Sequence, residues 1–88
     1  MLMLKLGKLV ATPGVLAAVP KRSIRAAIGR HLRGDWGDVN EDDWKENDNA
    51  VKNGERVLSS YRAPDGTKFW IITEWDRSYT TVLLPEEY

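Results

Sequence analysis

Apolar positions recur along this chain with two periods, and the period changes near residue 55. Before that point the spacing is helical. Ile24, Ala27, Ile28 and Leu32 fall on one face of "IRAAIGRHLR", while Trp44, Asn47 or Asp48, and Val51 form one stripe with Ala50 beside it. After it, "RVLSSYRA", "TKFWIITEW" and "YTTVLLP" are runs rich in Val, Ile, Thr, Tyr, Phe and Trp, which suit a pleated surface. The turn formers "PDG" and "DRS" separate these runs. An earlier stretch, "LKLGKLVAT", alternates imperfectly and is expected to be extended.

Punctuation residues bound the helices. Thr12-Pro13 predicts an N-cap with proline at the first helical position of a short helix that Pro20 interrupts. Ser23 is expected to cap the second helix and Gly34 to stop it. Asn40 caps a third, with Glu41, Asp42 and Asp43 in its first turn and Gly54 at its end. The expected fold is one α+β domain over residues 1–88. It has an antiparallel sheet of three or four strands, made of the C-terminal meander plus the N-terminal strand, and two or three short helices on one face.

The middle strand predicts a consequence. Phe69, Ile71, Thr73 and Trp75 point to one side, and Lys68, Trp70, Ile72 and Glu74 to the other. So few helices can cover only one side, which leaves Trp70 and Ile72 as a contact patch and an open sheet face through which a homodimer could form. The competing expectation places Trp70 in a second small core beneath the 34–40 loop.

Charge changes the picture more than composition does. Net charge is zero, but residues 1–33 hold seven basic side chains and no acid, whereas the next fifteen residues hold seven acids and one lysine. Capping and solvation of the third helix account for most of the acid, and the two segments are expected to lie against each other within one domain. An acidic-aromatic epitope of Trp36, Asp38, Asp42 and Asp43, with Trp70 as an apolar contact, is the expected protein-binding site. The alternative is nucleic-acid binding by Lys21, Arg22, Arg25, Arg30 and Arg33 on the second helix.

The residue inventory disfavours several chemistries. There is no cysteine, hence no disulfide or thiol chemistry, as fits a reducing cytoplasm. The leader-like start is broken by Lys5, Lys8 and Pro13-Gly14 and is expected to be structure; no run is long enough to span a bilayer. Asp35, Asp38, Asn40 and Asp42 do not follow the spacing of a calcium loop, and His31 is a lone histidine expected to pack at a helix end. "PDGTKFWIITEWD" imitates a magnesium nuclease core but has an acid where the lysine belongs. No metal, cofactor or catalytic set is expected, and Glu74, Asp76 and Arg77 are expected to bracket the second turn with surface ion pairs.

Over residues 7–88, "RGDWGD", "DGTKFWIITEWDRS" and "TTVLLPEEY" resemble a family of small bacterial proteins of mobile elements, which carry labels such as "plasmid-related protein" or "type I restriction endonuclease subunit M". The chain has neither the nucleoside-cofactor fold nor the Asn-Pro-Pro-Tyr-type motif of a methyltransferase. The resemblance implies a setting, cytoplasmic and on a plasmid, phage or integrative element, with no established activity. In that setting the expected role is a non-catalytic interaction protein that modulates a host defence or nucleic-acid-processing protein, in the manner of anti-CRISPR or anti-restriction proteins.

Overall fold

The computed structural model describes residues 4–88, so the start of the leader-like run, residues 1–3, lies outside it. The elements follow in the order β1 Lys8–Ala11, α1 Pro13–Ala18, α2 Lys21–Leu32, α3 Glu41–Asn53, β2 Val57–Arg62, β3 Lys68–Thr73 and β4 Tyr79–Leu83, with a short 3₁₀ turn at Pro85–Glu87. The α+β class is as expected: three helices accompany a four-stranded sheet of order β1-β4-β3-β2. The sheet is mixed rather than antiparallel. The meander β2-β3-β4 is antiparallel, but β1 runs parallel to β4. The helical connection between β1 and β2 returns the chain to the far edge, so β1 joins β4 in the same direction.

The first strand is also shorter than the alternation predicts. Gly7 sits at φ 63°, in the left-handed region, and a Cβ there would lie 2.3 Å from the Arg77 carbonyl oxygen. The chain bends at this glycine, and Leu4 and Leu6 leave the sheet to join a separate apolar cluster.

Thr12 accepts from the Val15 amide, and Asn40 from the Asp43 amide, as N-caps do. The second helix starts earlier than Ser23. Pro20, extended at ψ 141°, accepts the Ser23 and Ile24 amides through its carbonyl, and helix runs from Lys21. Gly54, at φ 70°, closes α3 in the left-handed conformation. Arg77, itself at φ 61°, donates to the carbonyls of Ala50, Glu55 and Glu74 and so ties the β3–β4 turn to the end of α3. It does not pair with Glu74 or Asp76 as the sequence reading expected; Asp76 caps Ser78 instead, and Glu74 faces Arg56.

Val57, Ser59, Tyr61, Phe69, Ile71, Thr73, Thr80 and Val82 share one face of the sheet, by the register of the strands. Val15 and Val19 of α1 and Ile24 and Ala27 of α2 pack there against Tyr61, Phe69, Ile71 and Val82. A second cluster gathers Trp36, Leu4, Ala50 and Val57, with Trp44 and Val51 at its margin. Trp36, not Trp70, fills the core beneath the 34–40 loop. Its indole N–H donates to Asp48 at 2.9 Å, which satisfies the one polar atom such a side chain brings inside.

The outer edge of β2 is sealed. Asn47 on α3 accepts from the Leu58 amide at 3.2 Å and donates to its carbonyl at 2.8 Å. The Ser60 amide donates to the Trp36 carbonyl, and the Ser60 carbonyl accepts from Asp38. Gly37, bridging to Ser60 at φ 76°, permits this approach, since a Cβ would lie 2.1 Å from the Ser60 oxygen. Asn47→Ala is therefore expected to destabilise the fold by about 1–3 kcal/mol, because it strands two backbone groups at once. Urea unfolding, with the exposed Asn49→Ala as reference, measures the loss.

Candidate functional site

Two features combine polar groups, aromatic rings and restricted solvent in ways that composition alone does not explain. One is buried beneath the helices; the other lies on the opposite, outer face of the sheet.

The buried feature is a chain of hydrogen bonds centred on His31, whose side chain is wholly inaccessible. Its Nδ1 meets the Ser59 hydroxyl and its Nε2 lies 2.8 Å from the Thr73 hydroxyl. Thr73 in turn lies 2.8 Å from Thr80, and Thr80 donates to the Leu6 carbonyl at 2.7 Å. A carbonyl only accepts, so the directions from Thr80 back to the His31 Nε2 follow, and a neutral ring then sets the last one. The single Thr80 proton goes to Leu6, Thr73 donates to Thr80, His31 Nε2–H donates to Thr73, and Nδ1 accepts from Ser59. The chain fixes Nε2–H, and with the buried ring neutral Nδ1 is the acceptor; the ring is set edge-on against Trp36 with centroids 5.5 Å apart. Burial, helped by the Arg77 charge, pushes its pKa down to about 4. This fits a structural histidine that holds a helix end to the sheet, as expected, and reaches further inside than helix-end packing requires.

The outer face carries Leu58, Ser60, Trp70, Ile72, Thr81 and Leu83, and none of Trp70, Ile72 or Leu83 belongs to a helix-packed cluster. Ile72 and Leu83 are nevertheless buried. The Pro85–Glu87 turn lies against β3 on the way to Tyr88. Tyr88 sets its ring edge-on to Trp70, with centroids 5.8 Å apart and planes at 69°. Arg56 lies 5.0 Å from the centre of the Tyr88 ring and donates to its hydroxyl at 2.7 Å. Arg56 then leads to an open cleft of ≈ 250 Å³ between α3 and β2, lined also by Asp43, Glu46, Asn47 and Leu58. Trp70, Tyr88, Arg56, Glu46 and Asp43 therefore form one continuous aromatic-to-acidic strip. Trp70 remains half-buried, and Tyr88 is 65% exposed.

The strip unites two residues that the sequence nominated, Asp43 and Trp70, and adds three that it missed. Arg56 sits one step ahead of β2 with the parity of Leu58 and Ser60, a signal that becomes legible only once the register is known. Asp42 is exposed on the first turn of α3. The other two nominated residues lie elsewhere. Asp38 pairs with Arg62 at 3.0 Å across the loop. Trp36 is fully buried and presents no surface, which corrects its expected place in an exposed epitope; its apolar ring outweighs its acidic neighbours in sequence.

The basic segment is not neutralised by the acidic one as expected. Among the described residues only Arg30 crosses between them, pairing with Asp35 at 2.8 Å and lying over the Tyr61 ring. That bond holds the Asp35 carboxyl below its usual range, and burial pushes the Tyr61 hydroxyl up to about 12. Lys21, Arg22, Arg25 and Arg33 are exposed and make no ion pair among the described residues. Asp65 and Glu74, the carboxylates of the nuclease-like stretch, stand beyond opposite ends of β3. Among the described residues no group of three or more His, Asp or Glu side chains converges to hold a metal, and no helix is long and apolar enough to cross a membrane.

Comparison with family models, curated proteins and solved structures finds no match.

The histidine chain has a pH signature. His31 titrates lower folded than unfolded, so between pH 6.5 and about 4 the unfolded chain binds a proton that the folded one refuses. Its contribution is fully present above pH 6.5 and is lost as pH falls, by about 3 kcal/mol across the window. Nitrogen chemical shifts of His31 are expected to report the neutral Nε2–H form down to about pH 4, and a doubly protonated ring at pH 6 would contradict the assigned proton order.

Proposed function

We propose that this chain is a non-catalytic protein of a mobile genetic element that works by binding another protein, and that the strip from Asp43 through Glu46, Arg56 and Tyr88 to Trp70 is its contact surface. The observation that carries the reading is the continuity of this strip from the outer sheet face, outside the helix-packed core, to α3. Tryptophan, tyrosine and arginine concentrate binding energy because they combine large rigid contact area with a polar tip. The acids at one end set the sign of what fits there. The matching partner surface places an apolar projection on Trp70 and Tyr88 and basic side chains beside Asp43 and Glu46. A host defence or nucleic-acid-processing protein, whose nucleic-acid site is itself basic, has that chemistry.

A second reading rests on a separate observation. Lys21, Arg22, Arg25 and Arg33 are exposed on α2 and its cap without carboxylate partners among the described residues, which leaves them free for phosphate. Engaging three or four phosphates gives a salt slope of about −3 on a logarithmic plot, so anisotropy titration across salt separates this reading from the first.

For the protein-binding reading, a partner captured from bacterial lysate is purified and titrated. Tyr88→Ala and Trp70→Ala are each expected to weaken its binding by about 30-fold. Asp43→Asn with Glu46→Gln is expected to slow association and flatten its salt dependence. Tyr88→Ala removes an exposed ring and is expected to change stability by no more than about 1 kcal/mol, so its binding loss reports contact rather than folding. Binding indifferent to both aromatic substitutions would refute the assignment.

A further inference from the structure

The two edges of the sheet are treated differently. On β2, the outward amides and carbonyls of Leu58 and Ser60 are taken by Asn47, Trp36 and Asp38. On β1 they are open. The Lys8 amide donates to the Ser78 carbonyl at 3.1 Å and the Thr12 amide to the Val82 carbonyl at 3.0 Å. Alternate residues of a parallel strand bond the same neighbour, so Lys8, Val10 and Thr12 turn toward β4 while Leu9 and Ala11 turn their N–H and C=O groups away. Among the described residues nothing receives them. The Leu9 side chain is 48% exposed, and Leu16 of α1, the helix that follows directly, is 50% exposed.

We propose that β1 pairs antiparallel with β1 of a second copy, joining two sheets into one of eight strands about a two-fold axis at Val10. The register follows from the backbone. Pairing Leu9 with Ala11 of the other copy lets each of these pairs exchange two bonds, four in all. A shift one way opposes Ala11 to Gly7, whose φ of 63° is not extended; a shift the other way opposes Leu9 to Pro13, which has no N–H. Only the Val10-centred register uses every open group. It places Leu9 against Ala11 on the helix side and Val10 against Val10 on the outer side.

Charge permits the same partner. Lys8 is the one charged residue of β1, and in this register it faces Thr12. The two Lys8 side chains then stand about 14 Å apart, from four residues of extended rise, beyond the physiological screening length of about 8 Å. The segment is thus complementary to itself.

Such an interface is small, so the 88-residue chain is expected to associate with a dissociation constant on the order of 10–100 μM. Sedimentation velocity from about 5 to 500 μM is expected to show the mass rising from 10.0 kDa toward twice that value. Leu9→Pro deletes one outward donor without touching the ladder to β4, and is expected to weaken association at least about tenfold. Leu9→Lys places like charges near the axis and is expected to do the same; it decides the matter if circular dichroism shows Leu9→Pro to be misfolded. Tyr88→Ala, on the outer face, is expected to leave the dimer intact, so failure here is distinguishable from failure of the contact strip. A wild-type chain that stays monomeric at the highest concentration overturns the proposal. So does a dimer that survives folded Leu9 variants or is lost in Tyr88→Ala.

Discussion

One buried hydrogen-bond chain, Ser59–His31–Thr73–Thr80–Leu6, ties the helical layer to the sheet at a defined register. It joins the end of α2 to β2, β3 and β4, and then to the segment that precedes β1. Apolar packing is tolerant of small slips; a directional chain in which every proton has one destination is not. A shift of one residue in β3 would turn Thr73 to the outer face and cost His31 its Nε2 partner in the core. The chain thereby specifies which face of the sheet meets the helices. In doing so it specifies which face is left uncovered.

That division is the basis of both proposed surfaces. Helices α1 and α2 cover one face, and α3 with the 34–40 loop seals the β2 edge through Asn47, Trp36 and Asp38. Left over are the outer face, where Tyr88 meets Trp70, and the β1 edge. Open backbone hydrogen bonds lie on the β1 edge, and the half-buried Trp70 lies on the outer face. The two surfaces also differ in kind: the edge offers backbone groups and suits a self-complementary strand, whereas the strip offers rings and charge and suits a foreign surface.

Much of the fold was legible in order. Caps at Thr12 and Asn40, the glycine stop at Gly54 and the three runs of the meander stand where the residue pattern places them, because each depends on contacts within a few residues. The residues of the proposed contact strip were legible in part. Asp43 and Trp70 were nominated for their chemistry, yet Trp36, nominated on the same grounds, is core. An acidic stretch around a tryptophan looks the same whether the ring faces water or Leu4, Ala50 and Val57. Arg56 and Tyr88 carried no signal of their own, since their meeting depends on a register and on the path of the last turn.

From the residues alone came the α+β class, the helix boundaries to within a few positions, the meander and the conclusion that one sheet face would lack helices. These are local consequences of period, propensity and capping. Tertiary structure decided the direction of β1, the placing of Trp36 in the core, the burial of His31 and the sealing of one edge but not the other. Each of those depends on groups far apart in the chain, whose pairing free energy exists only after loops have closed and water has left.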